Sequence, residues 1–262
     1  MDDGTPAPLL EVRGLRKHFG GVKAVDGCDF EVGAGEMVGL IGPNGAGKST
    51  VVELLSGLLK PDAGTVLFDG REIQGLPPHR IFASGLSRCF QLAKPWPRLS
   101  VLENLLIAIP PEGKDTIWRA LLTPPSRVRA AERAARERAL AVAEQYRLHP
   151  LRNDYAYTLS GGQRRLLEFA RIALARPKLA LLDEPMAGVN PVLQVEIERG
   201  IRNLVEDGTT VLLIEHNLGF VERICDRVIV MVEGRVAATG SLAELRDNPI
   251  VQDAYLGVVG AA

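Results

Sequence analysis

A glycine-rich run is the clearest chemical feature of the sequence. Residues 42–49 read Gly-Pro-Asn-Gly-Ala-Gly-Lys-Ser, which fits the spacing of a phosphate-binding loop at every fixed position. Glycines let the backbone turn its N–H groups towards phosphate oxygens, and Lys48 adds a point charge for the β- and γ-phosphates. The Ser49 hydroxyl is a hard oxygen ligand for Mg²⁺. The predicted contacts with a nucleoside triphosphate are Gly42, Pro43, Asn44, Gly45, Ala46, Gly47, Lys48, Ser49 and Thr50.

Two adjacent acids, Asp183 and Glu184, end the apolar run that begins at Leu179. A buried strand that places a carboxylate at its C-terminal edge suits a second contact to Mg²⁺. We assign this contact to Asp183, through coordinated water. Glu184 can point at the water that attacks the γ-phosphate. Adjacent acids are common on surfaces, and the phosphate loop upstream is what gives this pair its functional interpretation.

The elements that position these residues follow from the hydrophobic pattern. The phosphate loop lies between a predicted strand over Met37–Ile41 and a predicted helix over Ser49–Leu59. Further predicted strands are Leu9–Val12, Val22–Val32, Gly64–Asp69, Gly85–Phe90, Thr209–Ile214 and Val228–Val232. Further predicted helices are Pro191–Glu206 and Leu218–Arg223. Strands that alternate with helices predict an α/β fold with a mostly parallel sheet.

The middle of the chain has a different character. Ser100 can cap a helix, proline pairs bracket a loop-rich stretch, and an Ala- and Arg-rich helix is predicted over Ser126–Tyr146. We therefore expect residues 1–262 to form a single domain. Its predicted parts are a catalytic core over residues 9–92 and 159–250, a helical insert over 93–158 and a short tail over 251–262.

Positive charge is concentrated in this insert. Eight arginines and three glutamates lie between Arg119 and Arg152, with no lysine. Two interpretations stay open, a solvated helix face and a surface that docks near a membrane or a partner.

Composition excludes several classes of protein. The chain has 31 Lys and Arg against 32 Asp and Glu, so its net charge of −1 disfavours a bulk basic surface for nucleic acid. The three cysteines lie far apart, which indicates neither a zinc framework nor a thioredoxin-type motif. Apolar runs fall far short of the roughly 20 residues that span a membrane. We expect a cytoplasmic protein.

Residues 159–163, Leu-Ser-Gly-Gly-Gln, carry a family resemblance. Together with the phosphate loop they resemble the ATP-binding subunits of ABC transporters, over about residues 9–257. The resemblance implies a P-loop NTPase core of the ABC ATPase type, with an N-terminal antiparallel β part and a helical subdomain insert. It also implies an ATPase with ATP and Mg²⁺ as cofactors.

The same resemblance implies roles for residues outside the phosphate loop. Phe19, 29 residues before Lys48, stands where the family places an aromatic ring under the adenine, and His18 beside it could compete for that role. Gln91 resembles the Q-loop glutamine, which joins Mg²⁺ or the attacking water to the insert. His216 resembles the switch histidine that contacts the γ-phosphate. The residues that would meet the γ-phosphate on a partner subunit are Ser160, Gly161, Gly162 and Gln163.

A narrower resemblance concerns the transported substrate. The turn Met186–Pro191, the long insert and the tail Asn248–Gly257 are similar to those of branched-chain amino-acid importers. Asn190 lacks the charge that many members carry, which leaves its part in signalling between subunits open. The implied partners are membrane permease subunits, a second ATP-binding subunit and, indirectly, an extracytoplasmic solute-binding protein. The implied location is the cytoplasmic face of the inner or plasma membrane.

The sequence is also compatible with other functions. The ATPase of lipopolysaccharide export shares the Ala-Gly-Val turn and the Tyr-Leu-Gly tail, although its signature usually ends in Glu where this chain has Gln163. Urea and short-amide importers use very similar subunits. A soluble ABC-type assembly ATPase without a permease is the alternative from another class.

Overall fold

A computed structural model describes residues 7–89, 95–110, 124–246, 248–249 and 251–252. The described residues fall into two compact units. The first comprises the described parts of residues 1–91, 178–185 and 208–262, and the second those of 92–177 and 186–207.

A six-stranded sheet forms the centre of the first unit among the described residues, in the order β10-β9-β3-β8-β7-β6. Its strands are β3 Met37–Ile41, β6 Leu86–Cys89, β7 Leu179–Asp183, β8 Thr210–Ile214, β9 Arg227–Val232 and β10 Arg235–Gly240. Every neighbouring pair is parallel except β9 and β10. The strands β3, β7 and β8 are buried along their whole length, as expected for a sheet covered on both faces. The predicted α/β fold with a mostly parallel sheet is confirmed.

A second sheet of the first unit is antiparallel, in the order β2-β1-β4-β5. Its strands are β1 Leu10–Phe19, β2 Val22–Val32, β4 Ala63–Phe68 and β5 Arg71–Glu72. The antiparallel part implied by the resemblance is thus confirmed. The predicted strand over Leu9–Val12 stops too early, because β1 continues through register shifts in its pairing with β2 as far as Phe19.

The helices of this unit are α1 Lys48–Leu55, α2 Pro78–Ala83, α7 Leu218–Ile224 and α8 Leu242–Leu245. Helix α1 is shorter than the predicted Ser49–Leu59. It ends because Gly57 adopts a left-handed conformation with φ of +73°, and a Cβ at this position would lie 2.6 Å from the carbonyl oxygen of Leu76.

The second unit contains α3 Val101–Ala108, α4 Pro125–Gln145, α5 Gly161–Ala175 and α6 Pro191–Glu206. Ser100 and Glu103 form a reciprocal capping box at the start of α3, as the sequence predicts for Ser100. Helix α5 packs against α3, α4 and α6. Residues 161–175 and 191–206 therefore lie in the second unit, although they were predicted to belong to the catalytic core. No helix among the described residues is long and apolar enough to cross a membrane.

Candidate nucleotide-binding site

The phosphate loop, residues 42–49, joins β3 to α1 and is held by its neighbours. Gly42 has φ of +149°, and a Cβ there would lie 2.2 Å from the carbonyl oxygen of Met231. Gly47 has φ of +97°, and a Cβ there would lie 2.2 Å from the carbonyl oxygen of Ala24. Neither position can carry a side chain without moving backbone. The two glycines therefore let β9 and β2 approach the loop closely.

Lys48 closes the loop on itself. Its Nζ donates hydrogen bonds to the carbonyl oxygens of Gly42 at 2.7 Å and Pro43 at 2.9 Å. Only 7% of this residue is exposed. Burial lowers the pKa of the ammonium, and the nearby carboxylates of Glu184 and Asp183 act in the opposite direction. A phosphate group that entered the loop would give this buried cation a further counter-charge.

The start of α1 offers backbone N–H groups. Gly47 is the N-cap residue, and no side chain caps the helix there. The first N–H groups of a helix have no partner within the helix, and together with its dipole they favour an anion. Ser49 and Thr50 lie in this first turn and line the cavity described next.

A cavity of about 730 Å³ lies over the loop. Its lining consists of Phe19, Val22, Lys23, Ala24, Asp26, Asn44, Gly45, Ala46, Gly47, Lys48, Ser49, Thr50, Glu184, Glu233 and Arg235. Its volume falls within the usual range for small-molecule sites. The predicted loop residues from Asn44 to Thr50 and the predicted catalytic Glu184 thus share one cavity.

Phe19 provides an aromatic ring at this cavity. The side chain is 47% exposed, and Lys17 Nζ lies 5.7 Å from the ring centroid. His18 does not line the cavity, and its Nε2 lies 3.8 Å from a carboxylate oxygen of Asp26. Of the two candidates for stacking on a base, the structure places Phe19 at the cavity.

Asp183, at the end of β7, is held by a buried arginine. The Arg88 guanidinium lies 3.0 Å from Asp183 Oδ2, and both side chains are almost inaccessible. This pairing fixes one carboxylate oxygen of Asp183. The sequence offers no signal for it, because Arg88 lies within a short strand and belongs to no motif.

The donor set suits Mg²⁺. The Ser49 hydroxyl and the Asp183 carboxylate are hard oxygen ligands. The described residues contain no group of three or more His, Cys, Asp or Glu that could hold a metal by itself. Mg²⁺ is commonly held by one or two protein oxygens together with substrate phosphates, and the residues present fit that arrangement. The predicted third ligand, Gln91, lies outside the described residues.

Glu184 and His216 meet at the edge of the parallel sheet. Glu184 Oε1 lies 3.4 Å from His216 Nδ1. The Glu184 backbone N–H donates to the carbonyl oxygen of Ile214 at 3.0 Å, which joins the ends of β7 and β8. Glu184 also has φ of +47°, a conformation that costs a non-glycine residue energy. The sheet thus brings together two side chains that the sequence separates by 32 positions.

The signature residues lie in the second unit, at the start of α5. Gln163 N donates to Ser160 Oγ, and Ser160 N donates to Gln163 Oε1, which forms a capping box. A Cβ at Gly162 would lie 2.0 Å from Leu193 Cδ1, whereas a Cβ at Gly161 would meet open space. Ser160, Gly162 and Gln163 therefore have local structural roles.

One side of the cavity is formed by residues that no sequence motif predicts. Lys23 and Asp26 lie on β2, while Glu233 and Arg235 flank Gly234 in the turn into β10. None belongs to a recognised motif, and β10 is absent from the predicted elements. Only the tertiary pairing of these segments brings them to the phosphate loop.

Comparisons with known proteins show the family to which the chain belongs. Residues 25–187 match the ABC transporter family. The high-affinity branched-chain amino acid transport ATP-binding protein BraF of Pseudomonas aeruginosa is 41% identical over 251 residues, covering 95% of this chain and 98% of the relative. The probable branched-chain amino acid transport ATP-binding protein LivG of Archaeoglobus fulgidus is 39% identical, covering 95% of each chain. The lipopolysaccharide export system ATP-binding protein LptB of Acidithiobacillus ferridurans is 36% identical, covering 95% and 97%.

Solved structures give the same fold. A nucleotide-free ATP-binding cassette from an ABC transporter is 33% identical, with a TM-score of 0.78 over 95% of this chain and 99% of that one. The ADP conformation of an ATP-binding cassette is 32% identical, with a TM-score of 0.78 over 96% and 99%.

Proposed function

Because this chain belongs to the ABC transporter family, we propose that it is the ATP-hydrolysing subunit that powers import of branched-chain amino acids through a separate permease. One observation carries the choice of substrate class. Identity to the branched-chain amino acid proteins reaches 41% over nearly the whole length of both chains, against 36% for the lipopolysaccharide export protein.

The described residues can bind and orient the triphosphate. The phosphate loop and the first turn of α1 offer backbone N–H groups, and Lys48 offers its ammonium for the β- and γ-phosphates. Phe19 offers a flat apolar surface to the adenine. Bound Mg²⁺ would supply charge neutralisation on the phosphate oxygens, held by Ser49 and, through water, by Asp183.

Glu184 acts as the general base in this proposal. Its carboxylate lines the cavity and takes a proton from the water whose oxygen bonds to the γ-phosphorus. The bond from the γ-phosphorus to the bridging oxygen of the β-phosphate breaks, and ADP leaves. His216 Nδ1 lies 3.4 Å from Glu184 Oε1, and we assign to His216 the contact with the γ-phosphate. Since both follow adjacent parallel strands, β7 and β8, the sheet sets their separation.

The proposed partners follow from the same assignment. The chain works with membrane permease subunits and a second ATP-binding subunit, equal or different, and indirectly with an extracytoplasmic solute-binding protein. Ser160–Gln163 would reach the nucleotide of the second ATP-binding subunit. The protein would sit on the cytoplasmic face of the membrane, bound through the permease. The relatives' description as transport ATP-binding proteins supports this arrangement.

An uptake assay tests the substrate class. Deletion of the gene in its host should abolish ATP-dependent uptake of radiolabelled leucine, isoleucine and valine. The wild-type gene should restore uptake, and the Glu184→Gln gene should not. Urea uptake and lipopolysaccharide at the cell surface should stay unchanged. Wild-type leucine uptake in the deletion strain, combined with loss of urea uptake or of lipopolysaccharide export, would overturn the assignment.

A further inference from the structure

We propose that Arg235, held in place by Asp26, is a further nucleotide-contacting residue that binds the polyphosphate part of the ligand. This inference rests on the proposed nucleotide site, and it concerns a side of the cavity to which no sequence motif contributes. Both residues line the cavity over the phosphate loop.

Asp26 is a buried anchor for Arg235. Only 6% of Asp26 is exposed, and Arg235 Nη2 donates to its Oδ2 at 2.7 Å. This hydrogen bond lowers the pKa of the Asp26 carboxyl, against the opposing effect of burial, and Lys23 and Arg16 add to the lowering. A carboxylate held ionised in this way fixes the guanidinium of an otherwise exposed side chain.

The cluster around Asp26 carries excess positive charge. Arg16 Nη1 lies 3.5 Å and Lys23 Nζ 3.6 Å from the carboxylate, so three cations face one anion. Within the part of the chain that the structure describes, the buried Asp26 Oδ1 atom has no hydrogen-bond partner, and neither has the facing His18 Nε2. A single carboxylate cannot balance three cations. Two of these cations, Lys23 and Arg235, line the cavity, where the other carboxylates belong to Glu184 and Glu233.

Backbone hydrogen bonds place Arg235 beside the phosphate loop. The N–H of Gly234 donates to the carbonyl oxygen of Ala46 at 3.1 Å, and the N–H of Asp26 donates to that of Gly234 at 2.9 Å. Arg235 follows Gly234 directly, so its Cα is fixed next to the loop.

The remaining donors of Arg235 suit phosphate. An arginine has five N–H donors in a planar fork, and the hydrogen bond from Arg235 to Asp26 uses one nitrogen. Its side chain is 64% exposed, which leaves the rest of the fork accessible. Glu233, on the other side of Gly234, also lines the cavity and would repel phosphate, so the polyphosphate would lie towards Arg235.

The experiment measures the dissociation constant for Mg-ADP by isothermal titration calorimetry on the full chain. Arg235→Ala should weaken binding about three- to tenfold, and Arg235→Lys should recover part of the loss because it keeps the charge without the fork. Asp26→Asn should weaken binding about threefold, because the Arg235 guanidinium is then no longer held in place. The affinity for adenosine, which has no phosphate, is measured by competition and should be unchanged in these variants.

Arg246→Ala is the matched control. Arg246 is 67% exposed and lies 2.9 Å from Glu222, so the variant loses an arginine–carboxylate pair of similar length away from the nucleotide cavity. Its affinity for Mg-ADP should stay within twofold of wild type. Thermal melting of every variant separates an affinity change from unfolding, and Arg235→Lys keeps the test valid if the alanine variant fails to fold.

Lys48→Ala separates this inference from the proposed function. If Lys48→Ala loses Mg-ADP binding while folded Arg235→Ala and Arg235→Lys bind like wild type, the role of Arg235 is wrong and the site stands. If folded Lys48→Ala also binds like wild type, the nucleotide site itself is wrong. An equal loss of adenosine and Mg-ADP binding in Arg235→Ala would overturn the assignment to the polyphosphate.

Discussion

His216 Nδ1 lies 3.4 Å from Glu184 Oε1, at the ends of two adjacent strands of the parallel sheet. This contact ties a carboxylate of the cavity to an exposed imidazole.

Glu184→Gln should lose ATP hydrolysis but keep ATP binding. The amide keeps the size of the side chain and one acceptor oxygen but cannot accept a proton, and general-base catalysis typically contributes 10²–10⁴-fold. We expect phosphate release to fall by at least about 10²-fold, which corresponds to about 2.7 kcal/mol in the barrier. Hydrolysis at the wild-type rate would show that Glu184 is not the base.

The same variant should accumulate an ATP-dependent dimer, because ATP would join two subunits through Ser160–Gln163. Lys48→Ala is the control, since it should weaken ATP binding and stay monomeric. Size-exclusion chromatography with light scattering measures both. An inactive Glu184→Gln that binds ATP but never dimerises would contradict the homodimer and indicate a different ATP-binding subunit as partner.

Gly162→Ala should destabilise the second unit. The new methyl group would meet Leu193 Cδ1 at 2.0 Å and Cγ at 3.1 Å, so the Leu193 side chain must shift. We expect a loss of about 1 kcal/mol in the free energy of unfolding, at the lower end of the cost of overpacking. Gly161→Ala is the matched control, because a Cβ there meets open space. Urea unfolding of both variants measures the difference. Equal midpoints for the two variants would show that Leu193 moves aside without cost.

Nucleotide choice should be loose. The loop contacts only phosphates in the proposed function, and the Phe19 ring can stack on any purine. Fluorescence titration should therefore give dissociation constants for ATP and GTP within about tenfold, and Phe19→Ala should weaken both by a similar factor, corresponding to about 1 kcal/mol. Binding of GTP a hundredfold weaker than that of ATP would contradict recognition by stacking alone.

Arginines on α4 should matter for docking. Arg129, Arg133 and Arg136 are exposed, and their spacing of four and three residues puts them on one helix face. Reversing all three charges to Glu should weaken co-purification with the permease and leave the basal ATPase rate unchanged. Arg127→Glu, on an exposed residue of another face, is the control. Equal loss of assembly and basal activity would show a role in folding.

The local part of the site was predictable and the tertiary part was not. Glycine spacing, Lys48 and the acids after β7 are encoded within short segments, so the sequence alone identifies them. Arg88 and Asp183 are 95 residues apart and meet because β6 and β7 pair in one sheet. Asp26 and Arg235 are 209 residues apart and lie in different sheets, so only the tertiary structure reveals their contact. The predicted helix over Ser49–Leu59 is too long because apolar residues continue to Leu59, whereas the backbone conformation of Gly57 ends α1 at Leu55.

The close approach of Ala24 and Met231 to Gly47 and Gly42 has a consequence for affinity. A loop whose shape is already fixed by two flanking strands loses little conformational freedom when a ligand arrives, so less of the interaction energy is spent on ordering. The same contacts make the loop sensitive to its supports. A substitution that displaces β2 or β9 by a fraction of an ångström would reshape the phosphate cradle without touching any residue that contacts ATP.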